Sequence, residues 1–202
     1  MSLWRGKHPI ILASQSRARQ TLLANAGIAF EAVAAEIDER AVQQASGLSS
    51  PGEIAALLAR EKALSVSVRR SDKYVVGADQ TLALGFRLFS KPAGRVQAAE
   101  QLRELAGQRH ELHSAVAVAQ GGAIVFEAAT IARMTMRSLG EAEIDAYLDE
   151  AGEAVTTSVG AYQLEGLGVH LFEQIEGDHF TILGLPLLPL LAFLRSEGLL
   201  AV

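Results

Sequence analysis

The sequence predicts an α/β protein built on a mixed sheet flanked by helices. Segments with the 3.6-residue apolar period of amphipathic helices alternate along the chain with short apolar runs of strand length. Several of those runs are joined by tight turns, and Gly121-Gly122 is a strong hairpin signal. Hairpins place antiparallel neighbours in a sheet whose other strands are linked through helices, so a purely parallel sheet is not expected.

The composition is that of an ordinary globular protein. The 202 residues are 50% hydrophobic and 20% charged, which suits one domain over residues 1–202. The chain has no cysteine, which excludes disulfides, thiolate metal sites and cysteine nucleophiles. The net charge of -5 gives no support to binding of a nucleic-acid polymer or of a membrane surface. The most apolar stretch, 182–194, contains two prolines and is shorter than the roughly 20 residues of a membrane span, so we predict a cytoplasmic protein.

In the first half of the chain, capping residues and breakers mark the element ends. Ser50, Pro51 and Glu53 form a helix start, in which Pro51 suits the first helical position and Glu53 can close a capping box. A 3.6-residue apolar period carries this helix to about Arg69. In order, the predicted elements are a strand at 9–13, a helix at 17–26 stopped by Gly27, a strand at 28–34, an acidic loop or strand end at 36–39, the helix at 51–69, a strand at 73–78 and a hairpin at 82–88 around Gly85.

The second half is predicted by the same signals. Its elements are a helix at 96–105 stopped by Gly107, strands at 111–119 and 123–136 joined by the glycine pair, a helix at 141–150, a glycine-rich segment at 160–168, a strand at 169–175 and a C-terminal helix that starts near Pro186.

The first strand-to-helix turn carries a candidate anion site. Ser14, Ser16, Arg17 and Arg19 lie within six residues of each other at a predicted helix N-terminus. Unpaired N–H groups and the positive end of the helix dipole favour a phosphate there. The alternative is that one serine only caps the helix and that the arginines are solvated. Neither a Walker loop nor a complete dinucleotide-binding fingerprint occurs in the sequence.

Carboxylates and lysines at other predicted element ends add candidates. Asp79 directly follows an apolar strand, which suits a metal ligand or a general base, although a turn aspartate explains it equally well. Glu39 and its acidic neighbours supply oxygen ligands of the kind that Mg²⁺ prefers, although acidic loops are more often simply solvated. Lys62 lies near the edge of the apolar face of its helix and Lys91 precedes a proline at a strand end, where either suits a plain surface lysine.

Histidine and serine chemistry has weaker support. His110 and His113 are three residues apart in a predicted strand, so they point to opposite faces and could share a metal ion only if the segment were helical. His179 is predicted to be a turn residue. No Gly-x-Ser-x-Gly elbow occurs, which disfavours a serine hydrolase acting through Ser14 or Ser16.

Eight short motifs, taken in this order, resemble the Maf-like nucleoside triphosphate pyrophosphatases over nearly the whole chain. They are Leu12-Ala-Ser-Gln-Ser-Arg-Ala-Arg19, Ile37-Asp-Glu39, Ala59-Arg-Glu-Lys-Ala63, Val76-Gly-Ala-Asp-Gln80, Lys91-Pro92, Gly160-Ala-Tyr-Gln-Leu-Glu-Gly-Leu-Gly168, Ile175-Glu-Gly-Asp178 and Gly184-Leu-Pro186. The resemblance implies an elongated, two-lobed α/β fold of the Maf and inosine triphosphatase type with a central cleft, often as a homodimer. It also implies hydrolysis of the bond between the α and β phosphates of a nucleoside triphosphate, with Mg²⁺ or Mn²⁺ as cofactor.

The resemblance also implies roles for individual residues. Asp79 and Glu39 match the acids that hold the metal or activate water, and Lys91 matches a catalytic, triphosphate-binding lysine. The other residues implied to bind substrate are Ser14, Ser16, Arg19, Lys62, Gln80 and Glu165.

Three departures from the commonest family pattern bear on the substrate. Arg17-Ala18 stands where many members have Pro-Arg, so one arginine is missing and whether Arg17 replaces it stays open. Gln80 and Glu165 stand where many members have Thr and Gln, and they resemble the branch that acts on 7-methyl-GTP. A carboxylate accepts hydrogen bonds from a guanine edge and favours the positive charge of a 7-methylated base. The alternatives are a dTTP/UTP pyrophosphatase and a nucleotide-binding cell-division regulator with little turnover.

Overall fold

The computed structural model describes residues 3–202, and this part of the chain contains seven strands and seven helices. The strands are β1 (Ile10–Leu12), β2 (Phe30–Ala32), β3 (Val75–Leu84), β4 (Arg87–Phe89), β5 (Arg109–Gln120), β6 (Ala123–Met136) and β7 (Phe172–Glu176). The helices are α1 (Arg17–Asn25), α2 (Glu39–Ser46), α3 (Pro51–Ser67), α4 (Arg95–Leu105), α5 (Glu141–Ala151), α6 (His179–Ile182) and α7 (Leu187–Ser196). Three short 3-10 turns lie between α5 and β7, at Gly152–Thr156, Val159–Ala161 and Leu167–Leu171.

The sheet is mixed, which confirms the predicted fold class. Its strand order is β2-β1-β3-β5-β6-β7, with β4 paired to β3. Strand β1 is parallel to both of its neighbours, whereas β4 and β7 are antiparallel to theirs. Only two glycines join β5 to β6, a connection that requires antiparallel strands. The chain leaves β1 toward β2 on one side, while β3 lies on the other, and such a reversal of direction is where open α/β sheets place their ligands.

The chain divides into two compact units. The first comprises Met1–Gln80, Ser114–Thr130 and His179–Val202, and the second comprises Thr81–His113 and Ile131–Asp178. Most of the predicted site residues fall in the first unit, and Lys91 and Glu165 fall in the second. The assignment of residues 1–202 to one domain stays a prediction.

In the first unit, apolar side chains pack on both faces of the sheet. Leucines of α1 and α7 cover one face, against Leu12, Val76 and Val116. Alanines of α3 cover the other face, against small residues of β5 such as Ala115 and Ala117. The alternation of side chains along each strand therefore decides which helix a residue meets.

The second unit is built around α4, which packs against α5 and two of the 3-10 turns. His110 and Tyr162 are buried there, and their side chains hydrogen-bond at 2.8 Å. His110 therefore has the structural role that a lone strand histidine more often has. In the described part of the chain, no helix combines the length and the apolar character needed to cross a bilayer.

Several element predictions are wrong, each for a local reason. The acidic segment is not a loop at its end, because Asp38 caps α2 by accepting a hydrogen bond from Ala41 N at 3.0 Å. Ser50 makes no side-chain capping bond at the start of α3, so the capping box is absent. The strand predicted at 73–78 does not end there but continues as β3 to Leu84, whereas the hairpin predicted at 82–88 is confirmed, because β3 and β4 pair antiparallel around Gly85. His179 begins α6 rather than lying in a turn, and residues 169–171 belong to a 3-10 turn rather than to β7.

Candidate active site

A buried lysine joins two carboxylates in the first unit. The Nζ atom of Lys62 lies 2.6 Å from Oδ1 of Asp79 and 2.8 Å from Oε1 of Glu39. Lys62 and Asp79 are only 8% and 6% exposed, whereas the side chain of Glu39 is 54% exposed. The three residues come from three different elements, α2, α3 and β3, and one ammonium group serves both acids.

The close packing of α3 on β3 brings Lys62 to Asp79. Gly77 permits it, because a Cβ at this position would lie 2.1 Å from the carbonyl oxygen of Ala59 and 2.6 Å from the backbone nitrogen of Ala63. Gly77 and Asp79 are two residues apart in β3 and therefore point to the same face, toward α3. Lys62 lies on the buried face of that helix, not at its edge as the apolar period suggests.

The position of Asp79 also differs from the prediction. It lies inside β3 rather than in a turn after a strand, and its neighbours on both sides are strand residues. Burial raises the pKa of its carboxyl above the ordinary value, while the charges of Lys62 and Arg19 oppose this and the charge of Glu39 adds to it. A carboxylate with a raised pKa is a better proton acceptor than an exposed one.

Arg19 is fixed by the backbone of two other segments. Its Nε donates to the carbonyl oxygen of Gly184 at 2.7 Å, and its Nη1 donates to that of Ala78 at 2.8 Å and to Oγ of Ser14 at 3.3 Å. Burial lowers the pKa of the guanidinium, and the charges of Asp79 and Glu39 oppose that shift. Within residues 3–202 its Nη2 donates no hydrogen bond, so this end of the fork is available to an anion.

The two serines of the first turn have different partners. Ser16 is the N-cap of α1, as the simpler interpretation expects, and its Oγ accepts from Arg19 N at 3.5 Å. Ser14 Oγ accepts from Ser16 N at 3.2 Å and from the Arg19 side chain. Across the described chain, neither hydroxyl is hydrogen-bonded to a histidine, so neither has the base that a serine nucleophile needs. Arg17 is exposed.

Gln80 points to the opposite face of β3 from Asp79. Its Nε2 donates to Oγ of Ser114 at 2.9 Å and to the carbonyl oxygens of Thr181 and Ile182 at 2.9 and 3.0 Å. The N–H groups of this amide are therefore hydrogen-bonded within the protein, although the family resemblance implied a substrate contact. Ser114 belongs to none of the motifs in the sequence, and its only local signal is a polar residue at the head of an Ala-Val run in β5.

Lys91 and Glu165 are exposed residues of the second unit. Lys91 follows β4, and Glu165 lies in the loop between the second and third 3-10 turns. The backbone before Glu165 is held at Ala161, whose carbonyl oxygen accepts from the Tyr147 hydroxyl at 3.1 Å and whose φ is +61°.

The acid pair is a suitable donor set for a hard divalent cation. Residues 3–202 hold no group of three or more histidine, aspartate or glutamate side chains placed to bind a metal ion. Asp79 and Glu39, however, already share one cationic group. Mg²⁺ commonly takes only one or two protein carboxylates and completes its shell with water and substrate phosphates. The residues present therefore fit such an ion.

Comparison with known proteins identifies the family. A family model described as Maf-like protein matches residues 9–197. A Bradyrhizobium diazoefficiens protein named nucleoside triphosphate pyrophosphatase is 72% identical over 202 residues, covering all of both chains. A Rhizobium meliloti protein named 7-methyl-GTP pyrophosphatase is 52% identical over 192 residues, covering 94% of this chain and 96% of its own. Among solved structures, a HAM1 protein from Coxiella burnetii matches 64% of this chain and 73% of its own, with 15% identity and a TM-score of 0.42. The resemblance found in the sequence is thus confirmed, and the chain belongs to the Maf-like protein family.

Proposed function

We propose that the protein is a nucleoside triphosphate pyrophosphatase, which cleaves the bond between the α and β phosphates and releases a nucleoside monophosphate and pyrophosphate. The observation that carries the proposal is the buried Lys62–Asp79 pair shared with Glu39. Arg19 adds a second cation whose charge acts on both carboxylates. The names of the highly identical relatives support the same activity.

In this mechanism the first unit supplies both the base and the cations. Asp79, with its raised pKa, accepts a proton from the water that attacks the α-phosphorus. Lys62 and the free Nη2 edge of Arg19 offset the roughly four negative charges of the triphosphate and stabilise the departing pyrophosphate. When bound by the carboxylates of Asp79 and Glu39, Mg²⁺ or Mn²⁺ supplies polarisation of the phosphate oxygens. Ser14 contributes a hydroxyl at the N-terminal end of α1, where a phosphate oxygen is favoured.

The proposed substrate is 7-methyl-GTP or a similar modified nucleotide. Support comes from Glu165, an exposed carboxylate that suits a cationic purine, and from the relative named 7-methyl-GTP pyrophosphatase. Gln80 supports the assignment only indirectly, because its amide N–H groups bond to the protein. The triphosphate-binding role of Lys91 stays what the family resemblance implies. A homodimer and a cytoplasmic location stay predictions.

A nucleotide panel tests the proposal. Pure protein is incubated with 7-methyl-GTP, GTP, dTTP and UTP in Mg²⁺ or Mn²⁺, and pyrophosphate release is measured. The proposed activity fails if no triphosphate yields pyrophosphate. Tight nucleotide binding without release would instead favour the regulator alternative.

The Asp79→Asn variant tests the assignment of the base. We expect turnover to fall by about 10²- to 10⁴-fold with the circular dichroism spectrum unchanged, because the amide keeps the shape but cannot take the proton. Asp72→Asn, at an exposed turn position, is the matched control and should keep wild-type turnover. Full activity of Asp79→Asn would refute the role of Asp79.

A further inference from the structure

We propose that Ser114 and Gln80 are positioning residues, which hold the turn Thr181–Gly184 in place and thereby aim the guanidinium of Arg19 at a phosphate group. The inference rests on the proposed function only in taking that phosphate to be part of a nucleotide. Neither Ser114 nor Gln80 has a hydrogen bond to Arg19, so both act through the turn.

The carbonyl oxygen of Thr181 is the centre of this network. It accepts from Nε2 of Gln80 at 2.9 Å, from Oγ of Ser114 at 2.7 Å and from the backbone nitrogen of Gly184 at 3.1 Å. Ser114 and Thr181 are 1% and 0% exposed. A buried hydroxyl is costly unless it is hydrogen-bonded. The serine is tolerated at this point of an apolar strand because the turn accepts a hydrogen bond from it.

Gly184 connects this centre to Arg19. Its carbonyl oxygen accepts from Arg19 Nε at 2.7 Å, and its φ is +83°, a left-handed value that favours glycine. A Cβ here would lie 3.2 Å from Nη2 of Arg19 and 3.5 Å from Oε1 of Gln80. The absence of a side chain thus lets both residues approach the same turn from opposite sides.

Fixing two edges of a guanidinium fixes its direction, because the group is planar. Gly184 holds the Nε edge and Ala78, in β3, holds Nη1. The remaining edge, Nη2, is then aimed by these two carbonyl groups. One of them is part of a rigid strand, and the other is held only as firmly as the network around Thr181 allows. Loss of that network would therefore loosen the aim of Arg19 without removing its charge.

A double-mutant cycle tests this inference, with inorganic tripolyphosphate as the probe and calorimetry as the binding assay. Ser114→Ala should weaken tripolyphosphate binding by about three- to tenfold, which corresponds to the loss of one hydrogen bond between the misaligned Arg19 and the phosphate. In the Arg19→Ala background the same change should have less than about a twofold effect, because there is no guanidinium left to aim. Ser114→Thr keeps the hydroxyl and should restore most of the affinity. In steady-state assays of Ser114→Ala, KM should rise more than kcat falls.

Ser67→Ala is the matched control. Ser67 is also a fully buried serine of the first unit with a hydrogen bond to backbone, from Gly122 N at 3.0 Å. Ser67→Ala should lower the melting temperature about as much as Ser114→Ala does, and it should leave tripolyphosphate affinity unchanged. Should Ser114→Ala fail to fold, Gln80→Leu removes the other side-chain hydrogen bonds to the turn, at Thr181 and Ile182, and should show the same dependence on Arg19.

Equal effects of Ser114→Ala with and without Arg19, or an unchanged affinity in the single variant, would overturn the inference. The calorimetric measurement needs no turnover. A protein that binds tripolyphosphate through Arg19 but releases no pyrophosphate would thus refute the proposed activity and leave the positioning role standing.

Discussion

Lys62 is an internal counter-cation for the acid pair, and Lys62→Met removes it while keeping a side chain of similar length. The change leaves Asp79, 6% exposed, without the ammonium group that lies 2.6 Å from it. Breaking a buried pair in this way costs about 3–5 kcal/mol of unfolding free energy. The contribution of Glu39 is much smaller, because its side chain is half exposed and solvent screens the pair. We therefore expect the variant to be about 3 kcal/mol less stable at pH 8.

The assay is denaturant unfolding with and without Mn²⁺. In the wild-type protein the ammonium group competes with the metal for the same two carboxylates, so Mn²⁺ without nucleotide should have little effect. In Lys62→Met a saturating excess of Mn²⁺ should recover about 2–3 kcal/mol, and Mn²⁺ binding should be visible directly by electron paramagnetic resonance. Turnover should fall in the variant, because the triphosphate loses a cation.

Lys73→Met is the matched control for loss of a lysine charge. Its Nζ lies 3.4 Å from Glu31, whose side chain is 42% exposed, so the expected cost is below about 1 kcal/mol with no response to Mn²⁺. The reasoning would be refuted if Lys62→Met were as stable as this control, or if Mn²⁺ stabilised the wild type and the variant equally.

Three further predictions concern the pH dependence of activity, the pH dependence of stability and the recognition of the nucleobase. Asp79 must be ionised to act as the base, and burial raises its pKa, so kcat/KM should fall on acidification at a higher pH than an exposed aspartate would give. In Lys62→Met this fall should occur at a still higher pH. An acid-side fall at the same pH in both proteins would contradict the assignment. Burial lowers the pKa of His110 to about 4 from 6.5, so on acidification the unfolded chain protonates this imidazole before the folded protein does. The free energy of unfolding should therefore fall by about 3 kcal/mol as the pH drops from 7 to 4. Denaturant titrations should show a weaker pH dependence in His110→Asn. Glu165→Gln should lower the preference for 7-methyl-GTP over UTP in kcat/KM by about tenfold or more, since a charged acceptor is lost, and an unchanged ratio would remove Glu165 from base recognition.

The parts of the fold that depend on local chemistry were predictable from the sequence. Gly27 and Gly107 both end helices with positive φ, at +68° and +67°, and the Gly121-Gly122 hairpin lies where its residues indicate. The continuity of β3 was not predictable, because Asp79-Gln80 interrupts the apolar run that marks a buried strand. In the structure these two polar side chains are hydrogen-bonded to partners elsewhere in the chain, Asp79 to Lys62 on one face and Gln80 to Ser114 on the other. The short sequence patterns that predict a strand do not reach those partners, so they could not show that β3 continues.

The candidate site divides in the same way. The capping role of Ser16 is local, and the sequence offered it as the simpler alternative. The burial of Lys62 is tertiary, because it depends on the missing side chain of Gly77, which is part of a different element. Resemblance to a family selected Lys62, Asp79 and Glu39 as a set, but only the packing of α3 on β3 shows that one ammonium group serves both acids.

The alternation of β3 also separates two tasks that its sequence places side by side. Asp79 faces α3 and the acid pair, and Gln80 faces the turn that holds Arg19, because consecutive strand residues point to opposite faces. The side chain of Ala78 lies on the same face as that of Gln80, and its backbone carbonyl oxygen accepts a hydrogen bond from Arg19. The base and the anchors of the arginine are thus set by one rigid backbone segment. A residue inserted between Ala78 and Asp79 would turn Asp79 and Gln80 to each other's faces, so we expect it to abolish both the Lys62 pair and the bonds of Gln80 to the turn, whereas an insertion in the exposed hairpin turn at Gly85 should leave both in place.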